Sequence, residues 1–366
     1  MDKIYVFSIN TFFHYMIMKF YTTSNNLNNV KVICYSKNSK LKDILKKDKD
    51  IEGYIFFEKS KSQNKLLKLL ENKNVIISTR NFLEESDFKE LYVFKDYDFV
   101  NQTLIEYAEN MGKEVTLLED GLGLYTSVYK KGLIEKENII KRILFEYPKE
   151  KILSLGINSK VDTILATSPN SLPQEVKKDK KIKELNFNAF NLTRINKVLS
   201  YFEEVENFSL PEIDDSKITI MYISQPFSEL GILTIEEESE VLNELYYFFQ
   251  ENKKYNFLLK PHPGEKQNKY EKFEKSENVT VYKKSYLPAE LVPLSIRIDA
   301  VLHVSSSSCH YINHWYNIQV LSLYKLFFRE SKDDKLLDKL REIYEAKMVG
   351  TYDELESNLK ILRKTI

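Results

Sequence analysis

Short apolar, β-branched runs alternate with helix-period stretches along most of this chain, and few folds accept that pattern. Residues 3–7, 30–35, 53–57, 75–78, 91–94, 115–118 and 161–166 read as strands. Residues 11–21, 40–47, 64–71 and 98–112 read as helices, the last with Val100, Leu104, Ala108 and Met111 on one face and Gly112 as its stop;. Parallel strands need crossover helices that cover the sheet, so the alternation specifies an α/β chain with mainly parallel strands. After a helix over 192–202, residues 203–217 are acidic, contain Pro211 and lack any period, which marks a linker;. The pattern then restarts. Strands are expected at 217–223, 255–259, 279–282 and 300–304, a strong helix at 236–251, and short ones at 288–291 and 309–316. Residues 332–346 and 352–362 close the chain as helices. A length of 366 residues exceeds one ordinary core;. The expected architecture is two doubly wound domains facing a central cleft.

Bulk properties narrow the function class. The 54 basic and 54 acidic residues cancel, leaving no basic excess to suggest nucleic acid;. Cys34 and Cys309 lie far apart in apolar stretches and read as reduced core residues, with neither a disulfide framework nor a zinc pattern;. The first residues begin a strand directly, without the long apolar segment of a signal peptide or spanning helix. The apolar run over 12–21, interrupted by His14 and Lys19, is taken as a buried helix. The basic stretch over 130–151 is taken as a solvated helix in preference to a lipid-surface patch.

Three loops at strand ends carry the candidate chemistry. Glu119-Asp120-Gly121 sets two carboxylates side by side, and partial burial is expected to raise the pKa of one, as suits a general base;. Read blandly, the same residues make an acidic turn with Gly121 left-handed. Lys260-Pro261-His262-Pro263 holds an imidazole between two prolines, beside a lysine, at the end of a strand;. Such an imidazole donates a hydrogen bond or a proton to an anionic leaving group. Ser305-Ser306-Ser307-Ser308 runs from a strand into a helix, more hydroxyls than one N-cap needs, and suits a phosphate;. His303 reads as a satisfied core histidine. His310 and His314, four apart on a helix, lack a third metal ligand. Walker, Gly-x-Gly-x-x-Gly, Gly-x-Ser-x-Gly and His-Glu-x-x-His signatures are missing, and Asp96-Tyr97-Asp98 carries little weight because Asp98 resembles an N-cap;.

The ordered trio of Glu-Asp-Gly, Lys-Pro-His-Pro and a serine tract resembles the bacterial sialyltransferases. It is nearest glycosyltransferase family 52, the lipooligosaccharide and capsule sialyltransferases, and related polysialyltransferases share the same order of motifs. The resemblance implies a GT-B fold, with residues 1–205 as a Rossmann-like acceptor domain and 206–366 as the domain for CMP-sialic acid. Asp120, or its neighbour Glu119, would match the base for the acceptor hydroxyl, and His262 the group that meets the departing phosphate. Ser305, Ser306 and Ser307 would match the phosphate-binding hydroxyls, with Lys260 and Pro263 beside them and Glu290 placed for the ribose. Glu229, in the loop Ser224-Gln225-Pro226-Phe227-Ser228-Glu229, is an alternative base.

The resemblance thus implies an inverting, metal-independent transfer to a terminal sugar, galactose by expectation, of a bacterial surface glycan. No cofactor is expected, the location is cytoplasmic, and a peripheral inner-membrane contact and a homodimer remain compatible. Two other classes stay open: a GT-B transferase with another nucleotide-sugar donor, and a non-catalytic nucleotide- or glycan-binding protein.

Overall fold

The computed structural model describes residues 3–59, 63–126, 134–136, 139–185, 198–202, 211, 213–266, 268–282, 287–329 and 347–362. The helix expected at 332–346 lies outside them, as do most of 192–202 and much of the expected linker. The chain divides into two compact units, Met1–Phe208 and Ser209–Ile366.

The amino-terminal unit is built on strands β1 (Ile4–Ile9), β2 (Val30–Ser36), β3 (Ile51–Glu58), β4 (Phe88–Val93), β5 (Glu114–Leu118), β8 (Thr163–Ala166) and β9 (Lys181–Glu184). Its helices are α1 (Phe12–Ser24), α2 (Lys40–Lys47), α3 (Lys65–Ser86), α4 (Phe99–Asn110), α5 (Gly123–Thr126), α6 (Ile139–Phe145) and α7 (Gln174–Lys177). The strands form one sheet in the order β3-β2-β1-β4-β5-β8-β9, parallel throughout. A small antiparallel ribbon, β6 (Ile134–Lys136) with β7 (Glu150–Ile152), brackets α6.

The carboxy-terminal unit repeats the plan with β10 (Ile218–Ile223), β11 (Tyr255–Lys260), β12 (Val279–Val281), β13 (Ala300–His303), β14 (Gln319–Ser322) and β15 (Lys347–Met348). They pair in parallel in the order β12-β11-β10-β13-β14-β15. Helices α8 (Ile235–Glu251), α9 (Ser308–Tyr316), α10 (Tyr324–Phe327) and α11 (Tyr352–Leu362) complete it. Each sheet therefore reverses its strand order once, between β1 and β4 and between β10 and β13. That is the doubly wound, Rossmann-like arrangement, whose ligands gather at the carboxyl ends of the strands flanking the reversal.

Sequence logic explains most of these elements. β10 and β11 are buried at every position, as strands covered on both faces must be;. Thr234 opens α8 with a reciprocal capping box to Glu237;. Two expectations fail for identifiable reasons. Val75 to Ser78 is no strand: α3 runs straight through it, and its buried residues Asn72, Val75, Ile76, Thr79 and Leu83 recur at helical spacing;. The β-branched run mimicked a strand, yet only Val75 and Ile76 of it lie on the buried face of the helix and Ile77 is exposed. Helix α6 itself is also no ordinary solvated helix, since Ile139, Ile140, Ile143 and Leu144 face water while Lys141 and Arg142 are half-buried, although the charged residues flanking it, Glu135 and Lys151 among them, are exposed. Strands β9, β14 and β15, at or next to a sheet edge, went unread, being two to four residues long and partly polar.

Both cysteines are buried and unpaired, as expected. Among the described residues no helix is long and apolar enough to cross a membrane. The core of the carboxy-terminal unit centres on Phe249 and Phe257, whose rings stack at 4.0 Å. Truncating Phe257 to Ala should cost about 3–5 kcal/mol, read as a lower denaturant midpoint for this unit. A change within a few tenths of a kcal/mol would contradict that packing.

Candidate active site

In the amino-terminal unit the site grows from the end of β1. Thr11 caps α1 by accepting the His14 N–H at 3.2 Å, and the Asn10 N–H donates to His14 Nδ1 at 3.1 Å. An amide can only donate, so Nδ1 is the acceptor and the neutral ring carries its proton on Nε2. That Nε2–H points at Asp120 Oδ1, 3.0 Å away, while the ring stacks on Phe94 with centroids 4.2 Å apart. Lys95, following β4, reaches Asp120 Oδ2 at 3.2 Å. The reversal of strand order thus brings the ends of β1, β4 and β5 onto one carboxylate.

At Asp120 the electrostatics run opposite to a raised pKa. Burial does push the Asp120 carboxyl up, but His14 and Lys95 outweigh it and hold it down at about 2. Burial pulls His14 down, against Asp120, so its ring stays neutral near pH 7. Burial also disfavours the Lys95 ammonium, yet Asp120 keeps its pKa above the usual value. Gly121 has φ of 62°, as the left-handed turn reading required. Glu119 is only 1% exposed and accepts from Tyr125 Oη at 2.6 Å and from the Thr167 N–H at 2.5 Å. It ties the end of β5 to the loop after β8, a structural task that a solvent-facing base would not perform.

Further lysines ring this edge. Lys37 and Lys59 follow β2 and β3, and Lys59 Nζ lies 4.9 Å over the Tyr35 ring. Burial lowers the Lys59 pKa, Asp98 offsets this, and Lys95 and Lys37 lower it further. Asp98 caps α4 through the Asn101 N–H at 2.9 Å, as its sequence position suggested. Asp96, completely buried, accepts from Gly156 and Asn158 N–H groups at 2.9 and 3.0 Å. The Asp-x-Asp spelling is therefore structural.

In the carboxy-terminal unit the loops after three adjacent strands are stitched together. Ser224, ending β10, meets the loop after β11: its Oγ donates to Glu265 Oε2 at 2.5 Å and accepts the His262 N–H at 3.2 Å. Its neighbour Gln225 meets the loop after β13, with Oε1 accepting the Ser305 N–H at 3.0 Å and Ser305 Oγ at 2.6 Å. His262 Nδ1 accepts the Gly264 N–H at 3.0 Å, so the neutral ring again carries its proton on Nε2, on an exposed side chain. Desolvation lowers its pKa, opposed by Glu265. Pro263 is exposed beside it.

Around this loop the polar groups have fixed partners. Lys260 is 3% exposed with Nζ 5.4 Å over the Tyr282 ring, and burial lowers its pKa to about 8 against the pull of Glu290 and Glu265. Glu290 is buried in a short 3-10 turn, Ala289–Leu294, and desolvation raises its pKa while a Ser308 hydrogen bond lowers it. Ser307 sits at the N-cap of α9 without a capping hydrogen bond, so capping does not account for the tract. The buried His303 positions it instead, Nδ1 accepting the Ser306 N–H at 3.1 Å.

Glu229 does not stand ready as a base. With Glu238 and Glu265 it brings carboxylate oxygens within 4.8 Å of one another, the spacing of a cation site. Lys269 Nζ already lies among them, at 3.1, 2.7 and 3.0 Å. An ammonium holds the place a metal ion would take. The Lys266 N–H and Lys269 outweigh burial and lower the Glu229 pKa.

This geometry can be set beside known proteins. The chain matches the model of the alpha-2,8-polysialyltransferase (POLYST) family over residues 5–325. The chain belongs to the alpha-2,8-polysialyltransferase family. A search of curated proteins returns no match. Among solved structures, an alpha/beta-galactoside alpha-2,3-sialyltransferase from Photobacterium phosphoreum is 14% identical with a TM-score of 0.55, over 95% of this chain and 99% of that one. A UDP-GlcNAc 2-epimerase from Neisseria meningitidis, bound to UDP-GlcNAc, is 14% identical with a TM-score of 0.58, over 98% and 99% of the two chains. At such identities the likeness establishes the fold, that of GT-B glycosyltransferases and related epimerases. Family membership makes this chain a glycosyltransferase and supports sialyltransferase activity.

Of the residues singled out in sequence, Lys260, His262 and Ser305 belong to one hydrogen-bonded assembly or its immediate surroundings, and Asp120 anchors another. His14, Lys95, Ser224, Gln225 and Glu265 were not assigned roles. The signal for His14 was the Asn10-Thr11 start of the first helix, directly after the first strand.

Asp120 also makes a stability prediction. Its folded pKa lies below the unfolded value, so its contribution is present above pH 3.8 and lost as pH falls through about 2. The shift corresponds to about 2 kcal/mol. In Lys95→Met, which removes a cation that stays charged throughout the acid range, the acid unfolding of the amino-terminal unit should begin at higher pH than in the parent;. Superimposable acid limbs would show that Lys95 does not hold the carboxylate.

Proposed function

We propose that the enzyme transfers sialic acid from CMP-sialic acid to a glycan acceptor, with inversion and without a metal. The observation that carries this reading is the Ser224-Gln225 stitch, which gathers an exposed imidazole Nε2–H, a buried lysine and a serine loop at one sheet edge. Those are donors for a phosphate on which negative charge grows as the glycosidic bond breaks. Glu290, buried near Lys260, is assigned to orient donor groups within the same edge.

The chemistry runs as one displacement. The acceptor oxygen bonds to the anomeric carbon, the bond from that carbon to the phosphate oxygen breaks, and CMP leaves with the electron pair. His262 Nε2–H, Lys260 and the serine tract stabilise the departing phosphate. Asp120 accepts a hydrogen bond from the incoming hydroxyl on a remaining lone pair. A carboxylate held near pKa 2 is a poor base towards a sugar hydroxyl;. It is adequate towards the protonated ether oxygen formed once the new bond exists, because that oxygen is far more acidic than a carboxylic acid. The reading therefore places proton transfer late.

The family description favours a sialic acid terminus as acceptor over the galactose expected from sequence. Lys37, Lys59 and Lys95 along the amino-terminal edge suit such an anionic sugar. A surface glycan of lipooligosaccharide or capsule type is the proposed destination.

His262→Ala should lower transfer by about 10²–10⁴-fold with the fold intact. Calorimetry should detect CMP binding in both parent and variant, and hydrolysis of CMP-sialic acid but not of UDP-sugars. Turnover of a UDP-sugar with no response to CMP would sink the assignment. Chelation by EDTA should leave the rate unchanged.

A pH profile tests Lys260. Its charge is lost as pH rises through about 8, so kcat/KM for the donor should fall on that limb;. Lys260→Met should be slower at pH 7 and lack the limb. An unaltered alkaline limb in that variant assigns it to another group.

A further inference from the structure

Helix α6 is amphipathic in the opposite sense to an ordinary surface helix. Ile139, Ile140, Ile143 and Leu144 are 66, 62, 72 and 55% exposed, whereas Lys141 and Arg142 of the same helix are half-buried. The helix packs on α3, an arrangement reinforced by the Asn72 hydrogen bond to Tyr147 Oη and the Arg80–Glu146 ion pair. The first turns of α3 add Leu66, Leu67 and Leu70, at 60, 47 and 47% exposure. A monomer's surface helix normally turns such a stripe inward, and clustered exposed apolar side chains mark an interaction surface.

Charge identifies the occupant. The chain as a whole is neutral, with 54 residues of each sign. Residues 63–73 and the described residues from 134 to 152 nevertheless carry eight Lys or Arg against four Glu. Glu135 pairs with Lys151, one of the eight, at 3.4 Å, and Glu146 pairs with Arg80 outside the count, so the basic excess stands. A second copy docking by the same face would set this positive patch against itself, since a two-fold interface is self-facing. An anionic lipid surface offers the opposite charge and an apolar layer beneath it. At seven residues α6 is about 10 Å long, enough to lie among headgroups and far too short to span;.

We propose that this face docks the amino-terminal unit onto an anionic phospholipid surface, with α6 lying in the headgroup layer. The docking is independent of the reaction assigned above. Flotation of the full chain with phosphatidylcholine vesicles, with and without phosphatidylglycerol, tests it. Binding should require phosphatidylglycerol and weaken with salt. Ile140→Ser with Ile143→Ser, and separately Lys141→Gln with Arg142→Gln, should each lower the partition by about tenfold or more, at unchanged thermal stability. A destabilised pair is replaced by Leu66→Ser with Leu67→Ser, which exposed residues should tolerate. No partition, equal partition to both vesicle types, variants that bind like the parent, or a solution dimer dissolved by Ile143→Ser each overturns the proposal. The assay uses neither donor nor acceptor, so its failure leaves the transferase reading standing, and an inactive donor would not disturb it.

Discussion

The carboxy-terminal site depends on one buried carboxylate. Glu265, 1% exposed at its side chain, accepts from the Ser224 hydroxyl, the His262 N–H, Lys269 and Tyr270. A carboxylate taken out of water is tolerable only when its lone pairs are met this fully. The consequence is positional: His262 N–H is pinned at 2.7 Å, and the two prolines leave the loop little freedom to respond;. The His262 backbone is thereby fixed and the Gly264 N–H on Nδ1 sets the ring, the preorganisation that the proposed stabilisation of a leaving phosphate requires;.

The two units treat charge in opposite ways. At the amino-terminal edge, Asp120 is locked by a neutral His14 and a cationic Lys95, and its proton affinity drops. At the carboxy-terminal edge, Lys260 lies under burial that its acidic neighbours only partly offset, and its proton affinity drops as well. Both shifts share a direction, yet their causes differ: partners dominate the first and desolvation the second. A lysine whose charge is under-compensated gains most from an arriving phosphate. A carboxylate that is already compensated gains little, which is why the proposed reaction gives Asp120 the part of an orienting acceptor that takes its proton late.

The fold was legible because helices and strands differ in period, and two rounds of alternation survive in the residues. Where period and propensity disagreed, at Val75 to Ile77, propensity misled, since a buried helix face accepts β-branched residues. The loop motifs were legible because proline, glycine and serine runs limit what a strand end can do. The partners of those loops were not. Gln225 looks like any loop amide until Ser305, eighty positions later, is seen donating to it twice, and His14 looks like an interruption in an apolar helix until Asp120 closes on it. Pairing across a parallel sheet leaves no local mark in sequence. The pKa of Asp120 illustrates the cost: adjacent Glu119 was the obvious perturbing charge, but Tyr125 and Thr167 hold that side chain, while the decisive groups came from other strands.

Net charge hides as much as it tells. A balance of zero over 366 residues is compatible with a lysine-lined sheet edge and with a basic, apolar face around α6. At physiological ionic strength a charge is felt over roughly 8 Å. A phosphate, a sugar carboxylate or a lipid headgroup therefore responds to the few residues within that distance and not to the total. Two proposed tasks thus fall to separate groups within one unit, one to the lysines set by Asp98, Asp120 and the Tyr35 ring at the strand ends, the other to the basic residues around the exposed isoleucines of α6. Ordered charge selects a small ligand by geometry. Basic side chains beside exposed apolar ones suit a fluid surface, where position matters less than sign and area.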